Sequence, residues 1–284
     1  NFSFLLFNFS SLPSPMSPQL LHQFDEQGYI ILPETIPADL LQRLRRLFDD
    51  QMQQPENMHR VTNNVNGVDY TTNLDYLMLK SDRVCLELLG WPTILETAAA
   101  ICGPDFFLIQ EFAVIKMLGD TLPVLWHQDM LHRRTGRCFT MGIYLDDADA
   151  GDGSLNIVPG SHRSGRTICE LKNEPAAAVP VKAGQLLVHD MMLAHSSEPM
   201  RHNPLRRVLY FEFLSLQHVR QEALYSEELM QNRFALLEHA INYYRNLHPE
   251  EQAFNWTNPF TMALPPLEEI CSVLVQAKPS EYCF

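Results

Sequence analysis

Between residues 104 and 216 the chain breaks into short runs rich in β-branched and aromatic residues, and no other feature narrows the fold as much. The runs are Phe106–Met117, Phe139–Tyr144, Leu155–Val158, Leu186–His189 and Val208–Leu214. Gly119-Asp120, Gly151-Asp152-Gly153, Pro159-Gly160 and Ala183-Gly184 punctuate them. Glycine and aspartate tolerate the backbone angles of tight turns, so the chain reverses often and each run stays short. Repeated short strands of this kind predict an all-β sandwich or barrel.

Helical patterns flank that core. Ser17 to Gln27 carries Leu20, Leu21 and Phe24 at helical spacing and is stopped by Gly28, after which Tyr29–Leu32 reads as a short buried strand closed by Pro33. Pro37 opens a second helix whose apolar face holds Leu40, Leu41, Leu44, Leu47 and Phe48. Residues 51–76 are polar and Asn-rich and read as a long loop, and Leu86–Cys102 reads as a helix ended by Gly103-Pro104. After Gln217 the chain is helical again, with Leu229, Leu237, Ile241 and Tyr244 close to one face. The expected organisation is one domain over 16–284, with a β core at about 104–216, a helical N-terminal part and a C-terminal helical extension. Residues 1–15 are apolar and aromatic but lack a basic n-region, and are expected to be a non-native or disordered extension.

Charge and cysteine content exclude several classes. Against 21 Lys+Arg stand 34 Asp+Glu, a net −13, which argues against a general grip on nucleic acid. No apolar run approaches the roughly 20 residues that span a bilayer. Cys85, Cys102, Cys138, Cys169, Cys271 and Cys283 are scattered without a C-x-x-C pair. They read as thiols of a reducing compartment, which predicts a cytoplasmic protein.

The chemistry is carried by Trp126-His127-Gln128-Asp129. In a strand alternate residues share a side, so His127 and Asp129 present an imidazole and a carboxylate together. His195 lies 68 positions later, in Ala194-His195-Ser196-Ser197. Two histidines and one carboxylate on one face of a metal, with the other positions open, are the preference of non-haem Fe(II) oxygenases. Arg206 follows His195 by 11 residues and begins a β-branched and aromatic run. An arginine there can clamp a carboxylate through two parallel hydrogen bonds, as an iron-chelating 2-oxo acid requires. Arg207 is the alternative clamp, because neighbours on a strand face opposite sides.

With these residues in place, the chain resembles the phytanoyl-CoA dioxygenase-like family of Fe(II)/2-oxoglutarate-dependent oxygenases. The resemblance runs from Leu21 to about Phe213. It rests on Phe24-Asp25-Glu26-Gln27-Gly28-Tyr29-Ile30-Ile31-Leu32-Pro33, on Trp126-His127-Gln128-Asp129, on Gly153-Ser154-Leu155-Asn156-Ile157-Val158-Pro159-Gly160-Ser161-His162, and on His195, Ser197 and Arg206 in order. It implies a double-stranded β-helix (jelly roll, cupin-like) with His127, Asp129 and His195 as iron ligands. Arg206 is then the partner of the distal carboxylate of 2-oxoglutarate, with Gln128 and Ser197 beside the co-substrate. The implied reaction consumes O₂, releases CO₂ and succinate and hydroxylates a substrate C–H bond, with ascorbate as a reductant that maintains Fe(II). The partner is a small molecule, with no nucleic acid and no membrane, and the assembly a monomer or homodimer. Desaturation, epimerisation, cyclisation and halogenation on the same iron, and a non-catalytic cupin-like binding protein, stay open at this point. Asp129 stands where related halogenases carry a small residue, which favours an oxygenase outcome.

Other residues read as structural. His162 belongs to its turn, His189-Asp190 to a strand end, and Met130, Met141, Met191 and Met192 to adaptable core or pocket wall. His132, Arg133, Arg134 and Arg137 form a basic patch read as a solvated loop. Gly142 aligns with a tryptophan of many relatives, which predicts a wider pocket there.

Overall fold

The computed structural model describes residues 16–54, 60–78, 83–130, 136–260, 263–270 and 281–282. The extension 1–15 and His132, Arg133 and Arg134 of the basic patch lie outside the described residues; Arg137 is paired with Asp25 at 2.7 Å.

Helix α1 (Pro18–Gln27) is capped by Ser17, whose side chain accepts from the Leu20 N–H, and ends at Gly28 with φ 82. A side chain at Gly28 would also collide with His162, whose ring packs on the glycine while its Nε2 meets the Asp25 carbonyl at 3.1 Å. Strand β1 (Tyr29–Thr35) then runs through Pro33. Proline is tolerated there because β1 is an edge strand with irregular register between Ile31 and Thr35. Helix α2 (Ala38–Gln53) buries Leu40, Leu44, Leu47 and Phe48.

Residues 60–74, expected as loop, form a hairpin of β2 (Arg60–Val65) and β3 (Val68–Leu74). Asn66 and Gly67, both at positive φ, make its two-residue turn, the strongest short hairpin signal in a sequence. The strands are polar because the hairpin forms the edge of the sheet and is half solvated. The helix expected over Leu86–Cys102 is two, α3 (Val84–Gly90) and α4 (Pro92–Cys102), because Pro92 cannot continue α3.

The β core follows as β4 (Phe106–Met117), β5 (Val124–Gln128), β6 (Cys138–Tyr144), β7 (Leu155–Ile157), a short helix α5 (Ile168–Leu171), β8 (Ala177–Val179), β9 (Gln185–Asp190), β10 (His195–Ser197) and β11 (Leu205–Ser215). Helices α6 (Leu216–Gln221), α7 (Glu227–Leu247) and α8 (Leu267–Ile270) come next, then β12 (Glu281–Tyr282). The strands form two antiparallel sheets, β1-β9-β6-β11-β4-β3-β2 and β12-β5-β10-β7-β8. They face each other as a jelly roll.

The large sheet is buried on both faces. Phe139, Met141, Ile143, Leu209, Phe211 and Phe213 point outward into a core shared with α2, α3, α4 and α7. Tyr144, Leu187, Val208 and Tyr210 point inward to meet Leu155, Ile157 and Val179 of the small sheet. Two buried faces explain why β6 and β11 read as continuous apolar runs. Met130, Met141 and Met191 are core residues. Among the described residues no single helix is long and apolar enough to cross a membrane.

Two further expectations need correction. Cys85, Cys102 and Cys138 are buried thiols outside any disulfide, but Cys169 in α5 is disulfide-bonded, which departs from the reading of all six as thiols. Helix α5 lies against β12, so the C-terminal part of the chain passes beside it. Cys271 and Cys283 are outside the described residues. The pocket is also not widened at Gly142, because the room is already taken. A Cβ there would sit 2.9 Å from Tyr210 Cε1, 3.2 Å from Val208 Cγ1 and 3.3 Å from Tyr144 Cε2. Gly142→Val is therefore expected to destabilise the fold by about 1–3 kcal/mol through overpacking, read as a lower urea midpoint.

Candidate active site

Strand register builds the centre of the site. β5 and β10 pair antiparallel with His127 directly opposite His195, and the ring centroids are 4.0 Å apart. Each ring is held the same way: His127 Nδ1 lies 2.8 Å from the Leu125 carbonyl and His195 Nδ1 2.9 Å from the Leu193 carbonyl. Donation from Nδ1 to a carbonyl leaves Nε2 of both rings as the free lone pair. Asp129, two residues beyond His127, brings Oδ1 to 3.4 Å from His127 Nε2 and 3.7 Å from His195 Nε2. The three donor atoms fall within 4.8 Å of one another. The other carboxylate oxygen, Oδ2, accepts from Thr140 Oγ1 at 2.8 Å and meets His189 Nε2 at 3.2 Å. One oxygen is thus anchored by the protein and one faces the imidazoles.

Burial and charge set the protonation of this cluster. Burial, then the neighbouring His127, pushes His195 down to about 3, so it is a neutral imidazole. Burial also opposes charge on His127, but the hydrogen bond and charge of Asp129 outweigh it and raise its pKa. Burial alone would raise Asp129, yet the imidazoles of His195, His127 and His189 hold its carboxyl well below the usual range. Neutral His195 and ionised Asp129 are already in the forms that bind a metal, and a metal would take the place of the proton on His127 Nε2. Nitrogen and oxygen donors, with no cysteine joining the cluster among the described residues, fit Fe(II) better than a structural zinc.

The two arginines separate cleanly. Arg207 faces the helices and is paired with Asp146 at 2.8 Å and Asp49 at 2.5 Å. Arg206 faces inward and is 1% exposed. Its Nη1 donates to the Gly153 carbonyl at 2.8 Å and lies 3.5 Å from Ser197 Oγ. Its Nε is buried without a partner, and no carboxylate pairs with it among the described residues. A buried guanidinium left in that state fits an incoming carboxylate. Lys116, opposite Arg206 in the β4–β11 register, donates to the Ser197 and Glu198 carbonyls at 3.0 and 2.9 Å. Burial and the Arg206 charge pull its pKa down to about 7.

A cavity of about 590 Å³ joins these parts, lined by His127, Asp129, His195, Ser197, Arg206 and Lys116, by Val61, Thr62, Asn63, Thr72 and Asn73 of the hairpin, and by Tyr282. Gln128, expected beside the co-substrate, is not in this wall. Alternation along β5 turns it away from His127, and its amide donates to the Met192 carbonyl. Sequence reasoning missed Thr140 and His189, which hold Asp129, and Tyr282, which stacks on His127 with centroids 5.1 Å apart. Polar residues at inward positions of otherwise apolar strands were the available signal for the first two. Replacing His189 by leucine is expected to weaken iron binding about 10–100-fold with the fold intact, measured by metal titration against circular dichroism.

A family model described as Phytanoyl-CoA dioxygenase (PhyH) matches residues 24–208. Over 90 residues the chain is 28% identical to L-proline trans-4-hydroxylase of Streptomyces griseoviridis, covering 30% of this chain and 34% of that protein. The crystal structure of EvdMO1 superposes with a TM-score of 0.62 at 26% identity, over 69% of this chain and 49% of that one. The non-heme alpha ketoglutarate dependent carbocyclase SnoK from nogalamycin biosynthesis superposes with a TM-score of 0.60 at 20% identity, over 74% and 91%. The chain thus spans about a third of the curated relative's length and about half of EvdMO1. By the extent of the family match, the chain belongs to the phytanoyl-CoA dioxygenase family of Fe(II)/2-oxoglutarate oxygenases.

Proposed function

We propose that this protein hydroxylates a C–H bond of a small organic substrate, consuming O₂ and 2-oxoglutarate and releasing succinate and CO₂. The observation that carries the reading is one cavity in which two imidazole Nε2 atoms and one carboxylate oxygen converge while a buried arginine lacks an acidic partner among the described residues. His127, Asp129 and His195 would hold Fe(II), which when bound supplies the redox chemistry and O₂ activation.

The chain's own contribution is positioning and exclusion of water. The Leu125 and Leu193 carbonyls fix both ring orientations, and Thr140 and His189 fix the carboxylate. Arg206, with Ser197 Oγ and Lys116 near it, takes the distal carboxylate of 2-oxoglutarate, so that its 2-oxo acid end points to the metal ligands. The carboxylate of Asp129 fills the place that a halide ligand needs, which supports an oxygenase outcome. A 590 Å³ cavity suits a small molecule beside the co-substrate.

The test is spectroscopic and then catalytic. Anaerobic Fe(II) plus 2-oxoglutarate is expected to give a weak visible charge-transfer band, and admission of O₂ to give succinate. Absence of both overturns the reading.

A further inference from the structure

One polar row crosses the inner face of the large sheet. Gln110 on β4 stands opposite Glu212 on β11, Glu212 opposite Thr140 on β6, and Thr140 opposite His189 on β9. These strands are adjacent, so the four side chains form one line, and all four line the cavity. Thr140 and His189 are accounted for by Asp129. Gln110 and Glu212 hold neither the metal ligands nor the co-substrate anchor, and their one mutual bond is Gln110 Nε2 to Glu212 Oε2 at 2.9 Å.

Glu212 is 3% exposed. Three buried or half-buried acids here have cationic partners: Glu87 has Arg43 and His248, Asp146 has Arg207, and Glu111 has Arg233. Asp120 and Asp152 are satisfied instead by backbone N–H groups, with Asn63 added at Asp120. No cationic side chain pairs with Glu212 among the described residues. The groups facing it are Gln110, Thr140, Asp129 beyond Thr140, and Tyr225, whose hydroxyl is buried without a hydrogen-bond partner. Burial first, then the Asp129 charge, holds its carboxyl well above the usual range.

The cations of the cavity are at the other end. The Arg206–Lys116 row lies six residues back along β11, about 20 Å at the backbone. Between the ends sit Phe112 and Tyr210, cross-strand partners with ring centroids 5.2 Å apart. Asp120 lines the cation end too, beside Lys116, so the ends differ as two cations with one acid against an acid without a cation, beside aromatic faces. Such an end holds no cation to receive carboxylate or phosphate, and its rings, with an acid that a neighbouring positive charge would keep ionised, favour a cation.

We infer that Glu212 and Gln110 form the subsite that receives the substrate's polar group, and that this group is a cationic nitrogen, an ammonium or amidinium. The inference rests on the oxygenase reading above and narrows its substrate class. A neutral hydroxyl accepting from Glu212 is the alternative that the experiment separates.

The probes are matched ammonium, hydroxyl and carboxylate derivatives of cyclohexylmethyl, benzyl and hexyl scaffolds. Their binding to the anaerobic Fe(II)/2-oxoglutarate protein is measured by calorimetry and by perturbation of the charge-transfer band. Ammonium members are expected to bind at least about tenfold more tightly than their hydroxyl and carboxylate counterparts. E212Q, which keeps hydrogen bonding but loses the charge, is expected to abolish that preference while the band formed with 2-oxoglutarate stays. Glu212→Asp is expected to retain the preference at lower affinity, which a purely structural role would not reproduce. Failure of every ammonium probe to bind, a preference for hydroxyl or carboxylate, or a preference that survives in E212Q overturns the inference. A missing band in the unaltered protein counts instead against the oxygenase reading, so the two failures are distinguishable.

Discussion

Replacing His127 or His195 by alanine is expected to leave a folded protein that no longer retains iron after purification. Each residue supplies one of the three donors that converge among the described residues, and the remaining pair cannot define a face of the metal. The loss should exceed the roughly 10–100-fold expected for an outer partner such as His189. The backbone carbonyls of Leu125, near the start of β5, and Leu193, in the turn before β10, lose a ring donor in these variants, a local change that should alter circular dichroism little. Metal analysis of protein loaded anaerobically with one equivalent of Fe(II) checks it. Full retention of iron by either variant would show that the convergence of these three side chains is not a metal site.

Arg206→Ala is expected to behave differently, keeping iron and losing 2-oxoglutarate. The guanidinium is buried, and the carboxylate it is proposed to receive would be left unpaired in the same enclosed place. Removing one partner of a buried charge pair costs about 2–5 kcal/mol, which is roughly 30-fold or more in the co-substrate dissociation constant. Titration of the charge-transfer band with 2-oxoglutarate reads this directly. Arg207→Ala serves as the contrast. It breaks the pairs to Asp146 and Asp49 on the outer side and should lower stability while leaving the 2-oxoglutarate titration unchanged.

The three side chains that converge as the candidate metal site were legible in the sequence because they are defined by chemistry and by a local period of two. His127 and Asp129 share a side in any strand, and the order of motifs up to Arg206 added the rest. What was not legible depends on register between distant strands. Whether Arg206 or Arg207 faces inward turns on the phase of β11 against β4 and β6, which no local pattern fixes. His189, Thr140 and Glu212 gain their meaning only from being cross-strand neighbours. The space at Gly142 was misread for the same reason, since the side chain that fills it comes from Tyr210 on the next strand. The hairpin at 60–74 was hidden by its own polarity, although Asn66-Gly67 announced the turn.

The direct opposition of His127 and His195 across β5 and β10 has a thermodynamic consequence. A metal gripping both rings fastens two neighbouring strands of the smaller sheet, and β10 is only three residues long. Sliding either strand by one position would send one imidazole to the opposite face, so the metal enforces the alignment that creates its own site. Loading and folding are then one linked equilibrium. At a free metal concentration 1,000 times the dissociation constant the native state gains about 4 kcal/mol. The gain should concentrate in slowed amide hydrogen exchange along β5, β10 and β7, and should leave the outer helices almost untouched.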